Sequence, residues 1–206
     1  AKNAIEQGLL KAETAAVEIK TRRETITVAD DEQPHKGQID KIPSLRAAFA
    51  QDGTITAANA SSISDGASAL ILASESAVRE QGLTPMAKIV AHARSSRLPA
   101  EFTLAPVDAI TALLNKTGWL ASDVDLWEIN EAFAMVTMLA MRAHGLDHDR
   151  VNVHGGACAQ GHPIGSTGSR IIVTLMHAMH HYNKQRGIAA LCIGGGEATA
   201  VAIEKC

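Results

Sequence analysis

The chain has 206 residues, 46% of them hydrophobic and 20% charged, with a formal net charge of -3 and a pI near 6.3. This composition excludes a disordered chain, and its mild acidity offers no general field for nucleic acid or anionic lipid, so neither is an expected partner. No apolar run reaches the roughly 20 residues that a membrane-crossing helix needs. The opening AKNAIEQGLLKAETAAVEIK lacks the apolar centre of a signal peptide, so the expected location is cytoplasmic. Cys158, Cys192 and Cys206 are an odd number without metal-ligand spacing, and they read as reduced thiols.

Residues 1–17 suit a helix that begins without a cap, as though entered in mid-element. From about 18 to 50 the sequence is polar, broken by Pro34, Gly37 and Pro43, and reads as an irregular lobe. Between 54 and 83, TITAANA, the turn SSISDG, the apolar run ASALILA and SESAVREQGL suggest one or two strands and two helices that need a partner sheet.

After Pro85 a βα alternation begins. MAKIVAHA, VDLWEI, VNVHG and GIAALCIG read as strands, separated by the helices VDAITALLNKTG, EAFAMVTMLAMRAHG and GSTGSRIIVTLMHAMHHYN. EATAVAIE follows the fourth strand after only a Gly-rich turn. Helical crossovers make neighbours parallel and a tight turn makes them antiparallel, so the last strand runs against the others in a βαβαβαββ unit.

Ligands of open α/β sheets collect beyond the carboxyl ends of parallel strands. Asn130 follows VDLWEI, GGACAQGHPIG with His162 follows VNV, and Cys192 closes GIAAL before three glycines, so all three are expected at one sheet edge. His162 near the start of a helix suits a neutral base, which takes a proton from a thiol and then donates to an oxyanion. The competing reading is a structural loop histidine or a phosphate-binding turn. Cys192 reads as an acid/base beside free glycine amides, or as a small buried hydrophobe. Cys158 is a rival thiol in the same region. Asn130 either orients a water or carbonyl, or caps the next helix. His177, His180 and His181 have helical spacing for metal ligation, but no inward carboxylate accompanies them, so a solvated helix end and no metal are expected.

Together TITAANASSISDGASA, NEAFA, GGACAQGHPIGSTGSR and CIGGG resemble the ordered signatures of the thiolase family over residues 49–203. The resemblance implies an α/β, thiolase-like fold. Residues 84–206 would form a βαβαβαββ C-terminal domain with a five-stranded mixed sheet, 51–83 would end an N-terminal domain, and 1–50 would end a loop domain. It implies acetyl-CoA C-acetyltransferase activity, the reversible Claisen condensation of two acetyl-CoA. Coenzyme A thioesters would be substrates, with no prosthetic group and no metal, in a homodimer or homotetramer.

In the family's roles His162 activates the nucleophilic cysteine, Asn130 holds the water of an oxyanion hole, Cys192 moves the acetyl α-proton, and Gly194 supplies a second oxyanion amide. Ser61 and Ala57 match contacts to the pantetheine of coenzyme A, and Phe49 and Phe133 match aromatics lining its tunnel, with ordinary core packing as the alternative for both rings. None of the three cysteines matches the nucleophile, which is expected in residues upstream. Ala58 and Ser62 stand where the family has glycines, and Glu197 where it often has methionine. The alternatives are a non-catalytic module that binds coenzyme A or forms dimers, a longer-chain 3-ketoacyl-CoA thiolase, and a condensing enzyme using carrier-bound substrates.

Overall fold

The computed structural model describes residues 1–206. Helix α1 (Lys2–Glu6) stops well short of the expected residue 17. Gly8 takes φ +71°, a conformation that only glycine adopts freely, and the Leu9 amide turns back to the Ala4 carbonyl.

The segment expected to be irregular contains an antiparallel hairpin, β1 (Val17–Lys20) with β2 (Thr25–Val28). Its turn has no glycine, proline or asparagine to announce it. The Thr21 hydroxyl replaces them, accepting from the Arg23 and Glu24 amides and donating to the Glu24 carbonyl. Helix α2 (Gln33–Lys36) and a 3-10 turn over Ile39–Ser44 follow.

No strand forms between 54 and 74, contrary to expectation. Ala60 and Ile63 make only single bridges, to Phe133 and His162, and the apolar run 67–73 pairs with no other segment. Ile71 is 97% exposed. Of the two helices expected here, one is present, α3 (Glu75–Gln81). The Ser74 hydroxyl accepts from the Ala77 amide at its start, and Gly82 is left-handed at its end.

The regular unit is β3 (Ala87–Ser96), α4 (Ala105–Thr117), β4 (Leu126–Ile129), α5 (Ala134–His144), the short α6 (Ala157–Gln160), α7 (Thr167–His181), β5 (Arg186–Cys192) and β6 (Glu197–Lys205). Gly118 and Gly145 end α4 and α5 in the left-handed conformation. The sheet order is β3-β6-β5-β4, with β4 and β5 parallel and β6 antiparallel to both β5 and β3. The four-residue connection from β5 to β6 therefore acts as the sequence suggests.

The expected fifth strand, VNVHG, is reduced to one parallel bridge, from Val151 to Trp127 of β4. The ladder is cut short because Asn152 takes φ +49° and its side chain acts as a substitute peptide. Its Oδ1 accepts from the Ile129 amide (2.8 Å) and its Nδ2 donates to the Ile129 carbonyl (2.9 Å).

Strand β4, last in the sheet order, is buried on both faces because helices cover each of them. Trp127 and Ile129 pack with Ile110 and Leu113 of α4 and Ala140 of α5, whereas Leu126 packs with Ile171, Leu175 and Met179 of α7. The alternation of period two thus divides the core into two layers around the sheet. Alanines at 189, 190, 198, 200 and 202 keep β5 and β6 thin enough for helices to approach on both faces.

Candidate active site

Asn130 and Cys192 stand at the carboxyl ends of neighbouring parallel strands. Ile129 is opposite Ala190, and the Asn130 amide donates to the Ala190 carbonyl at 2.9 Å. His162 reaches the same edge from the loop before α7, with its Nε2 3.4 Å from Asn130 Nδ2. The structure therefore brings Asn130 and His162 into contact.

Asn130 is 2% exposed, and its Oδ1 has no partner in the chain. The helix-cap reading fails for this residue: α5 begins at Phe133 as N-cap, with no capping side chain. A buried amide oxygen left free at a sheet edge is suited to hold a water or substrate group.

The His162 loop is clamped by residues 59–64. The His162 amide donates to the Ser62 carbonyl at 2.9 Å, Ile63 bridges His162, and the Ala134 amide donates to the Asn59 carbonyl. Gly161 has φ +85°, and a Cβ there would collide with the Ser64 hydroxyl. Serine at 62 is accommodated, its hydroxyl lying 3.1 Å from that of Ser64.

Burial, and then the positive charge of Arg170, hold the His162 imidazole below the usual histidine range, so the ring is neutral and available as a base. Burial pushes the Cys192 thiol up, which keeps it protonated and suited to donate a proton. Cys158 is pushed up to about 12, first by burial and then by Glu131, whose carboxylate accepts the Cys158 amide at 3.0 Å. That environment suppresses a thiolate, so Cys158 does not compete as the reactive thiol. The amides of Gly194 and Gly195 make no hydrogen bond within the chain, and both glycines are exposed beside the end of β5.

The remaining candidates lie around Phe133, three residues beyond Asn130. Phe49 packs edge-on to Phe133 at 6.3 Å between centroids, and Phe102, which the sequence reading did not single out, packs on Phe133 at 6.1 Å. Phe49 is 75% exposed, so core packing does not account for it. Ser61 is tied to this wall, its hydroxyl donating to the Ala132 carbonyl at 3.0 Å, and Ala57 is exposed nearby in sequence.

His180 bonds the Met86 carbonyl (2.8 Å), and no group of three or more His, Cys, Asp or Glu side chains is placed to hold a metal. A cavity of about 760 Å³ lies elsewhere, lined by Asp125, His148, Arg150 and Tyr182 among others at the amino-terminal end of β4.

Behind the site, Glu128 on β4 is buried with one carboxylate oxygen 3.9 Å from Arg170 and the other without a partner. Burial outweighs the pull of Arg170 and raises its pKa to about 8. The folded state thus keeps a proton that the unfolded carboxyl releases near 4.5, so Glu128 costs stability progressively as pH rises from about 4.5 to about 8. Glu128→Gln removes that slope, with an expected gain of about 1–3 kcal/mol relative to wild type between pH 5 and pH 8. Urea unfolding of both proteins at the two pH values measures it; an equal difference at both would refute the buried-acid assignment.

The profile described as thiolase, C-terminal domain, matches residues 83–205, and that of the thiolase N-terminal domain matches residues 1–76. The acetyl-CoA acetyltransferase of Yarrowia lipolytica is 46% identical over 205 residues, covering 100% of this chain and 51% of the relative. The crystal structure of the Bacillus anthracis acetyl-CoA acetyltransferase superposes with a TM-score of 0.97 at 40% identity, covering 100% of this chain and 52% of that one. A thiolase from Ascaris suum, Acat5, solved in complex with coenzyme A, matches with a TM-score of 0.89 at 39% identity over 100% of this chain and 52% of its own. The chain spans about half the length of the curated relatives it matches.

Proposed function

The chain belongs to the thiolase family, and from that premise we propose that it works as the acid/base half of an acetyl-CoA C-acetyltransferase whose nucleophilic thiol comes from residues outside these 206. The contact between His162 Nε2 and Asn130, on the strand edge where Cys192 ends β5, is the observation that carries this reading.

In the cleavage direction His162, neutral and accepting at Nε2, takes the proton of the nucleophilic thiol as its sulfur attacks the 3-keto carbon of acetoacetyl-CoA. The imidazolium N–H then faces the oxyanion that forms, beside the Asn130 amide. When the carbon–carbon bond breaks, the departing acetyl-CoA carbanion receives the Cys192 proton. The proton held by His162 then passes to the Cys192 thiolate; the ring, neutral again, takes the proton of a coenzyme A thiol as that sulfur receives the acetyl group, and hands it to the displaced nucleophilic thiolate. Condensation is the reverse sequence. The free amides at Gly194 and Gly195 suit the thioester oxygen of the enolising acetyl-CoA, whose charge rises as the α-proton leaves. The Phe49, Phe133 and Phe102 wall suits the apolar part of the pantetheine arm, with Ser61 and Ala57 beside it. These groups perform the chemistry without a prosthetic group.

Joining residues 1–206 to a nucleophile-bearing amino-terminal thiolase half is expected to yield coenzyme A-dependent cleavage of acetoacetyl-CoA faster than that of longer 3-ketoacyl-CoA substrates. The preference for the short substrate rests on relatives named acetyl-CoA acetyltransferase at 41–48% identity. A folded joined protein that cleaves neither substrate would overturn the proposal; faster cleavage of long substrates would make it a longer-chain thiolase.

A further inference from the structure

The structure assigns to Thr167 the role of positioning residue for His162, fixing the ring so that its proton sits on Nδ1 and its lone pair on Nε2 faces the reaction; this deepens the acetyltransferase reading and rests on it for its catalytic meaning.

Thr167 opens α7 and is fully buried. Its Oγ1 lies 2.7 Å from His162 Nδ1 and 3.0 Å from the Pro163 carbonyl. A hydroxyl has one hydrogen to donate, and a carbonyl oxygen only accepts. The bond to Pro163 therefore uses the Thr167 hydrogen, and the short contact to the ring is made by an Nδ1–H donating to Oγ1. The other end of the ring agrees, because Asn130 Nδ2 is a donor and faces Nε2 at 3.4 Å, where it meets a lone pair. The Pro163 carbonyl also accepts the Ser166 and Thr167 amides, so the first turn of the helix holds the hydroxyl in place. The His162 ring is gripped at both ends, and its base points to the edge shared with Cys192. Without that grip a histidine carries its proton on either nitrogen, and the form protonated at Nε2 cannot accept a thiol proton there.

The test reads the tautomer on the chain itself, without turnover. Long-range nitrogen–proton NMR of 15N-histidine-labelled protein, with the His162 signals identified by their loss in His162→Gln, should show the Nδ1–H form as dominant. A dominant Nε2–H form in the wild-type chain would overturn the assignment, whatever any variant does. Thr167→Val, of similar shape but lacking the hydroxyl, should lower the Nδ1–H to Nε2–H ratio by about five-fold, the worth of one neutral hydrogen bond. Thr167→Ser should restore it, and an unchanged ratio in the valine variant would also overturn the assignment. In the joined enzyme Thr167→Val should lower kcat about 10- to 100-fold with KM little changed, as loss of a group that orients a catalytic ligand does, and serine should rescue it. A joined enzyme inactive with Thr167 in place would sink the acetyltransferase reading and leave the tautomer result to decide the positioning role.

Discussion

Replacing Cys192 by alanine in the joined enzyme is expected to lower both cleavage and synthesis of acetoacetyl-CoA by about 10³-fold, the range for loss of a positioned general acid/base. Exchange of labelled coenzyme A into acetyl-CoA should fall much less, because acyl transfer needs the nucleophile and His162 but moves no α-proton. The environment supports this division. The thiol is buried at the end of β5, burial raises its pKa, and free glycine amides lie two and three residues on. Cys192→Ser should not restore the rate, because a hydroxyl is far harder to deprotonate than a thiol. Undiminished cleavage in the alanine variant would remove Cys192 from the mechanism, whereas equal loss of exchange and cleavage would place it in acyl transfer instead.

The second large effect concerns stability. Trp127 lies on the fully buried strand β4, is 1% exposed and packs in the layer of Ile110, Leu113 and Ile129. Trp127→Ala should cost about 3–5 kcal/mol in urea or thermal unfolding, from lost burial and the cavity left between the sheet and α4. That is a large share of the roughly 5–15 kcal/mol that holds a domain folded. Trp127→Phe should cost clearly less, since it retains an aromatic ring in the layer and deletes an indole N–H that has no acceptor in the chain. A loss below about 1 kcal/mol for the alanine variant would mean that β4 is not central to the folding core.

The parts of the fold that could be read in advance are those governed by local chemistry. Gly118 and Gly145 mark the ends of α4 and α5 because a left-handed residue must follow each helix. The apolar stretches of β4 and β5 announce strands, and the brief Gly-rich link before β6 forces its antiparallel course. Asn130 and Cys192 stand out by one rule, that residues at the carboxyl end of a parallel strand face the ligand edge, and His162 by its place in the loop before α7. Thr167 carries a weaker signal, a hydroxyl at a helix start five residues beyond the histidine, because spacing alone does not say which ring nitrogen it meets.

Other features depended on what each segment meets in space. The run 67–73 has strand composition, yet pairs with no strand, because composition sets a preference and pairing needs an edge. The strand at 151–155 shrank to one bridge because the Asn152 side chain took the bonds of a ladder. The hairpin of β1 and β2 hangs on one threonine hydroxyl.

The sequence by itself determined the family, the order of the regular elements and the residue types capable of acid/base chemistry, since these follow from periodicity, caps and motifs along the chain. Only the tertiary structure decided what surrounds them. It showed that Asn130 is no helix cap, that burial and Glu131 hold the Cys158 thiol protonated, and that Thr167 faces Nδ1 while Asn130 faces Nε2. Protonation states and hydrogen-bond direction are set by neighbours far apart in the chain, which local pattern does not specify.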